Sequence, residues 1–367
     1  MHSKKKLFFT LLLFLVIAIK SSSAQKSEPY KGIYVSNKWI KPVDEEVLQS
    51  KDVDGVHLRL RWLTLEPEQG KYDWTFLDSE LKRIVAAGKK ISIGIAAGKH
   101  TPEWVYEAGV PGLEFEEFRK QGKAQKFSAK IPVVWNQKFL ELWTGFIKDF
   151  ADHLKSMPEV YQNVTLIKLT GINETTLELR LPAQKEIENE RGKSTDAPAL
   201  WKSVGYRPKL ILDAWDQILN AFQKNFGDKN VSIEIIPDKA FPLINDDGNE
   251  TSDRSEVQNL LEQLIEKAYK KFKDKLVLQW DSLQEHARIP KFMEWCAKFN
   301  VPFGYQIAES EFGNPQCLQN NVPCDEEMLK DLFDRGNGAK GIFIEVFQKT
   351  VPAFPHAMAY GHEKFWK

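Results

Sequence analysis

Short runs of β-branched and apolar residues alternate with amphipathic segments of helical period along the chain. The strand candidates are GIYVS (32–36), GVHLRLRW (55–62), KISIGIAAG (90–98), VTLIKLTG (164–171), VSIEIIP (231–237), LVLQW (276–280), PFGYQIAE (302–309) and GIFIEVF (341–347). Between them lie helix patterns. FLDSELKRIVAAG ends on Gly88 as a cap, and NQKFLELWTGFIKDFADHL repeats apolar residues at spacings of three and four. PKLILDAWDQILNAFQKNF, SEVQNLLEQLIEKAYKKF, IPKFMEWCAKF, DEEMLKDLFDRG and PAFPHAMAYGHEKFW continue the series. Eight strand–helix units with no low-complexity linker predict an α/β fold: a (β/α)8 TIM barrel that takes up residues 25–367 as a single domain. An open doubly wound sheet is the competing architecture. It would carry a Gly-rich phosphate turn after an early strand, and none follows GIYVS.

The first 24 residues break this pattern. Lys4, Lys5, Lys6 and Lys20 flank LFFTLLLFLVIAI, and SSSAQ follows, which reads as a secretory signal peptide cleaved after Ala24. The apolar run is short for a membrane span, an uncleaved anchor being the alternative. The precursor has 51 basic and 51 acidic residues, so removing those four lysines leaves 47 against 51, a charge near −4. Neither balance suits a nucleic-acid binder. In an oxidising compartment Cys317 and Cys324, which enclose LQNNVP, are expected to pair as a disulfide, with Cys296 left as a buried thiol. Three unpaired cysteines are the alternative. No Cys/His grouping, HxH or HExxH spacing occurs, so no metal or other cofactor is expected.

Barrel chemistry gathers at the C-terminal strand ends and in the loops leaving them. The longest loops, 99–135 and 172 to about 207, are expected to wall a cleft. Strand four runs into LTGINETTLELRLP and places Asn173 and Glu174 at that rim. There a carboxylic acid can protonate a leaving glycosidic oxygen while the amide holds a sugar hydroxyl. The same Asn173 also lies in a glycosylation sequon, as do Asn163, Asn230 and Asn249. A second carboxylate is needed, and strand seven offers Glu309 and Glu311, of equal parity; Glu309 is favoured because it ends the apolar run. Glu345 on strand eight is a third candidate, or a carboxylate that orients another side chain. On strand two His57, Arg59 and Arg61 share a face, and Arg61, nearest the end, is expected to keep a nucleophilic carboxylate ionised. Trp62, Trp104, Trp280 and Tyr305 are candidate stacking platforms for pyranose rings, with Gln279, Asp281 and Gln348 as hydroxyl-binding groups. Trp143, Trp215 and Trp295 fall on helix patterns and belong to the core.

RWLTLEPEQGKYDWTFLD, TPEWV after strand three, and Asn173-Glu174 after strand four together resemble the clan A glycoside hydrolases. The nearest likeness is to the barrel domain of glycoside hydrolase family 42, the β-galactosidase-like enzymes. That resemblance implies a retaining double displacement on the O-glycosidic bonds of an oligo- or polysaccharide. Its acid/base would be Glu174 and its nucleophile Glu309 or Glu311. The chain departs from the family in ending soon after strand eight, in lacking a metal-binding Cys cluster, and in carrying Glu178 as a further carboxylate close to the site. A divergent branch is therefore expected. A glycan-binding barrel without hydrolysis is the alternative. Carbohydrate is the expected partner and the exterior or periplasm the expected location.

Overall fold

The computed structural model describes residues 30–119, 125–189, 192–236, 240–283, 290–307, 318–319 and 322–366. Eight parallel strands close into a barrel in sequence order: β1 Gly32–Ser36, β2 Gly55–Arg61, β3 Lys90–Ala96, β4 Val164–Lys168, β5 Asn230–Ile235, β6 Leu276–Leu283, β7 Phe303–Ile307 and β8 Phe343–Phe347. Closure runs from Gly32 beside Phe343 to Ser36 beside Phe347. Each strand is followed by a helix: α1 Glu45–Gln49, α2 Thr75–Ala86, α3 Gln137–Lys155, α4 Pro208–Phe226, α5 Ser255–Phe272, α6 Pro290–Phe299, α7 Glu326–Gly338 and α8 Pro355–Trp366. This is the (β/α)8 barrel that the alternation predicts. The signal-peptide segment 1–24 lies outside the described residues, and among them no helix is long and apolar enough to cross a membrane.

The helices form where their apolar period is cleanest. On α3 the buried set Phe139, Leu140, Trp143, Phe146, Ile147 and Phe150 recurs at steps of one, three and four, and Asn136 caps the first turn by accepting from Lys138 N and Phe139 N at 2.9 and 3.2 Å. Proline opens α4 at a position where its missing N–H costs nothing. Most of the core lies between these helices and the outer face of the barrel. Trp143, Trp215 and Trp295 are buried there, as expected.

Strand alternation sorts the barrel interior into layers. Tyr30, Tyr34, Leu166, Val277 and Phe343 form a separate apolar plug. Two residues further along the strands come Lys168, Gln279 and Glu345, and two beyond the last two come Asp281 and Phe347. The interior thus passes from an apolar floor through a charged layer to the mouth.

Two long loops build one wall of that mouth. After β3, Gly112–Arg119 and Gln125–Pro132 pair as an antiparallel hairpin. Thr195, on the loop after β4, accepts and donates across to Glu116, whose N–H reaches Thr195 Oγ1 at 2.9 Å and whose carbonyl accepts from Thr195 N at 2.8 Å. Phe115 and Trp135 both pack on the buried Trp201, with ring centroids 5.0 and 5.6 Å away.

Candidate active site at the barrel mouth

The charged layer is organised around one lysine. Lys168 Nζ lies 2.8 Å from Glu345 Oε1 and 2.8 Å from Glu234 Oε1, and it also donates to Gln279 Oε1. Glu345 further accepts from Tyr30 OH at 3.1 Å, Gln279 Nε2 at 2.9 Å and Gln306 Nε2 at 3.1 Å. Burial would raise this carboxyl, but the charges of Lys168 and His57 and the donated bonds outweigh it and hold it at about 2. Glu345 is therefore a saturated, fully buried carboxylate below the mouth, which suits neither a nucleophile nor a sugar-binding group. His57 Nδ1 is 2.9 Å from Ser92 Oγ, and burial pushes the ring down to about 4, so it is neutral at pH 7. His57, Glu234 and Glu345 converge closely enough to suggest a metal site, yet the Lys168 ammonium stands between the two carboxylates and supplies the cation itself.

Asn173 and Glu174 are brought to the rim but turned into the protein. Asn173 accepts from Gly171 N at 2.6 Å and donates to the carbonyls of Leu177 and Glu178 at 2.7 and 3.1 Å, so its amide shapes the loop rather than a sugar. Fully buried, it is closed to glycosylation in the folded chain. Glu174 is 1% exposed and its Oε2 is ion-paired with Arg180. This loop is clamped from β3: Lys99 N donates to Glu174 O at 2.7 Å and His100 Nε2 lies 3.1 Å from Thr175 O. Gly98, at φ 48°, permits the clamp, since a Cβ there would overlap the carbonyl oxygens of Asn173 and Glu174. Gly98→Ala is expected to cost roughly 1–2 kcal/mol from backbone conformation alone, and more from the overlap. Urea unfolding checks this, and a change below about 0.5 kcal/mol, the level of an ordinary surface substitution, would contradict it.

The consequence of that clamp is that Glu178, rather than Glu174, faces the barrel axis. Leu179 N donates to Glu234 O at 2.9 Å and Leu181 N to Ala240 O at 2.8 Å, so residues 177–181 run beside the exit of β5. Leu177 enters the barrel above Gly94, where any Cβ on β3 would strike it. Glu178 is partly buried, with its carboxylate accepting from Thr176 Oγ1. Burial pushes its pKa up, the nearby Glu234 adds to this, and Arg180 and Arg59 offset only part of it. Asp281, at the mouth end of β6, is 5% exposed, and neither of its oxygens has a donor among the described residues. Burial, then the charges of Glu234 and Glu178, raise its pKa well above the ordinary value.

The expectations for Trp62, Trp280 and Tyr305 need correcting, whereas Trp104 is partly exposed. Trp62 is fully buried against Trp104, Trp143 and Phe146 with its Nε1 donating to Glu66 at 2.8 Å, and Trp104 donates to the Glu66 carbonyl at 2.9 Å. Trp280 packs on Phe292, and Tyr305 on Phe292 and Met293, both from α6. Trp62, Trp280 and Tyr305 each neighbour an inward residue (Arg61, Gln279 and Gln306), so alternation turns them outward into the helix layer. Gln348 is also structural, accepting from Asp44 N at 2.8 Å. Among the described residues Trp39, after β1, reaches the mouth, beside Phe347 at the end of β8. It is partly exposed at φ 45° and held by Asn37, whose amide donates to the Trp39 and Lys41 carbonyls. Arg59 and Arg61 lie over its ring at 4.4 and 5.1 Å, and His100 packs beside it at 5.0 Å. Glu309, Glu311 and Cys317 lie outside the described residues, and with Cys317 the pairing to Cys324; Cys296 is a buried free thiol.

Residues 34–164 match glycoside hydrolase family 42, described as β-galactosidase. The match runs from β1 to the start of β4. The catalytic domain of a β-amylase from Paenibacillus polymyxa superposes with a TM-score of 0.57 at 14% identity, covering 91% of this chain and 97% of that one. Native xylanase 10B from Thermotoga maritima gives 0.48 at 13% identity, covering 91% and 95%. At its identity the β-amylase likeness shows a shared barrel fold. The chain is a (β/α)8 barrel whose residues 34–164 are similar to family 42.

Proposed function

We propose that the protein is a secreted glycoside hydrolase that cleaves O-glycosidic bonds of an oligo- or polysaccharide by retaining double displacement, β-galactosidase-like in mechanism. The carrying observation is a carboxyl held toward its protonated form at the C-terminal mouth of a barrel whose first strands match family 42. Glu178 is the proton donor to the leaving oxygen, replacing the expected Glu174, whose carboxylate is engaged with Arg180 and closed off. Glu309, or Glu311 two residues on, which follow β7 in the sequence, supplies the attacking carboxylate. Burial of Asp281 raises its pKa, which disfavours a second charge beside Glu178. Export through residues 1–24 and a Cys317–Cys324 loop disulfide belong to the same reading.

The experiment is trapping with a 2-deoxy-2-fluoro glycoside bearing an activated leaving group, followed by peptide mass mapping. Label is expected on the peptide containing Glu309 and Glu311. Turnover without label, with the released sugar inverted at its anomeric carbon, would overturn retention. Label on Glu345 would overturn the assignment of the nucleophile.

A further inference from the structure

Arg59 and Arg61 pose a charge problem that the reaction above leaves unsolved. Successive inward positions of β2 bring both guanidiniums over one indole, that of Trp39, with Arg59 also 6.0 Å from the Phe347 ring at the end of β8. Two like charges so placed ordinarily share a carboxylate. Among the described residues neither arginine has an ion-pair partner, and Arg61 Nε is buried without any hydrogen-bond partner. The expected role of Arg61, pairing with a nucleophilic carboxylate, therefore has no partner among the described residues. Lys99 is a further cation nearby, and burial, then the fields of Arg61, Lys99 and Arg59, push His100 down to about 4, so it adds no charge at pH 7. The facing carboxyl is Glu178, whose charged form burial disfavours.

We propose that Arg59 and Arg61, stacked on Trp39, bind an anionic substituent of the sugar, a carboxylate or a sulfate, so that the substrate class is an acidic glycan. A planar guanidinium with unused N–H groups matches either oxyanion through paired hydrogen bonds, and the indole holds the fork in place. The subsite lies on the β1–β3 side of the mouth, opposite Glu178 and Asp281 on the β4–β6 side, so a sugar held by its anion spans toward the proton donor. This inference rests on the glycosidase reading.

The test uses the full-length mature protein and calorimetric titration with oligogalacturonates and glucuronic-acid-bearing xylo-oligosaccharides, each beside its carboxyl-reduced counterpart, and with sulfated galactan oligosaccharides beside their desulfated forms. One acidic member is expected to bind about 10- to 100-fold tighter than its neutral counterpart. The uronate and sulfate arms identify which anion is taken. Arg61→Lys is expected to erode that preference and Arg59→Met with Arg61→Met to remove it. In the wild type, raising salt from 50 to 500 mM weakens the acidic ligand alone, a readout that stands if a variant misfolds. Neutral counterparts bound or hydrolysed as well as acidic ones by the wild type would overturn this inference and leave the glycosidase reading standing. Absence of binding and turnover across the whole panel would overturn both.

Discussion

Glu178→Gln is expected to lower kcat/KM on glycosides with unactivated leaving groups by about 10²- to 10⁴-fold, the range for loss of a positioned general acid. Glu174→Gln on the same substrate should act mainly through stability, because that carboxylate is 1% exposed and paired with Arg180. The pH dependence follows from the direction of the shift. Burial raises the Glu178 pKa, so the protonated donor persists above the ordinary value of 4.5, and the rate falls as pH rises through the raised value. That alkaline limb should vanish in Glu178→Gln. A limb that remains unchanged would assign the titration to another group.

The largest stability effect is expected at Lys168. Lys168→Met leaves Glu234 and Glu345 facing each other in the barrel without their common cation, and removing one partner from a buried ion pair costs about 3–5 kcal/mol. Urea unfolding of the purified variant measures it. Adding Glu345→Gln to Lys168→Met should recover part of the loss, since the amide no longer needs compensation. A single-variant cost below about 1 kcal/mol, the range of an exposed pair, would show that the cluster contributes little net stability.

The barrel was legible because its signal is repeated eight times: each strand run and the helix period after it name the same architecture, and short errors at element ends leave the count intact. Side-chain direction was less legible. Parity correctly put His57, Arg59 and Arg61 on one inward face, but applied to Trp62, Trp280 and Tyr305 the same rule turns them outward, where the structure has them. Lys168 and Glu234 carried an overlooked signal, a charged residue inside strands otherwise buried on both faces. Glu178 and Trp39 carried none in their spacing. Their placement depends on the Gly98 clamp, the space above Gly94 and the Asn37 turn, all long-range or conformational features that no local period encodes.

The central claim is that Glu178 gives the proton to the departing oxygen. Its most direct test is the dependence of kcat/KM on leaving-group pKa across a series of aryl glycosides, measured side by side for the wild type, Glu178→Gln and Glu174→Gln. The account predicts a shallow line for the wild type and for folded Glu174→Gln, and a steep line for Glu178→Gln that meets them at the most activated leaving group. A Glu178→Gln line parallel to the wild type, with the steep dependence appearing in Glu174→Gln, would contradict it.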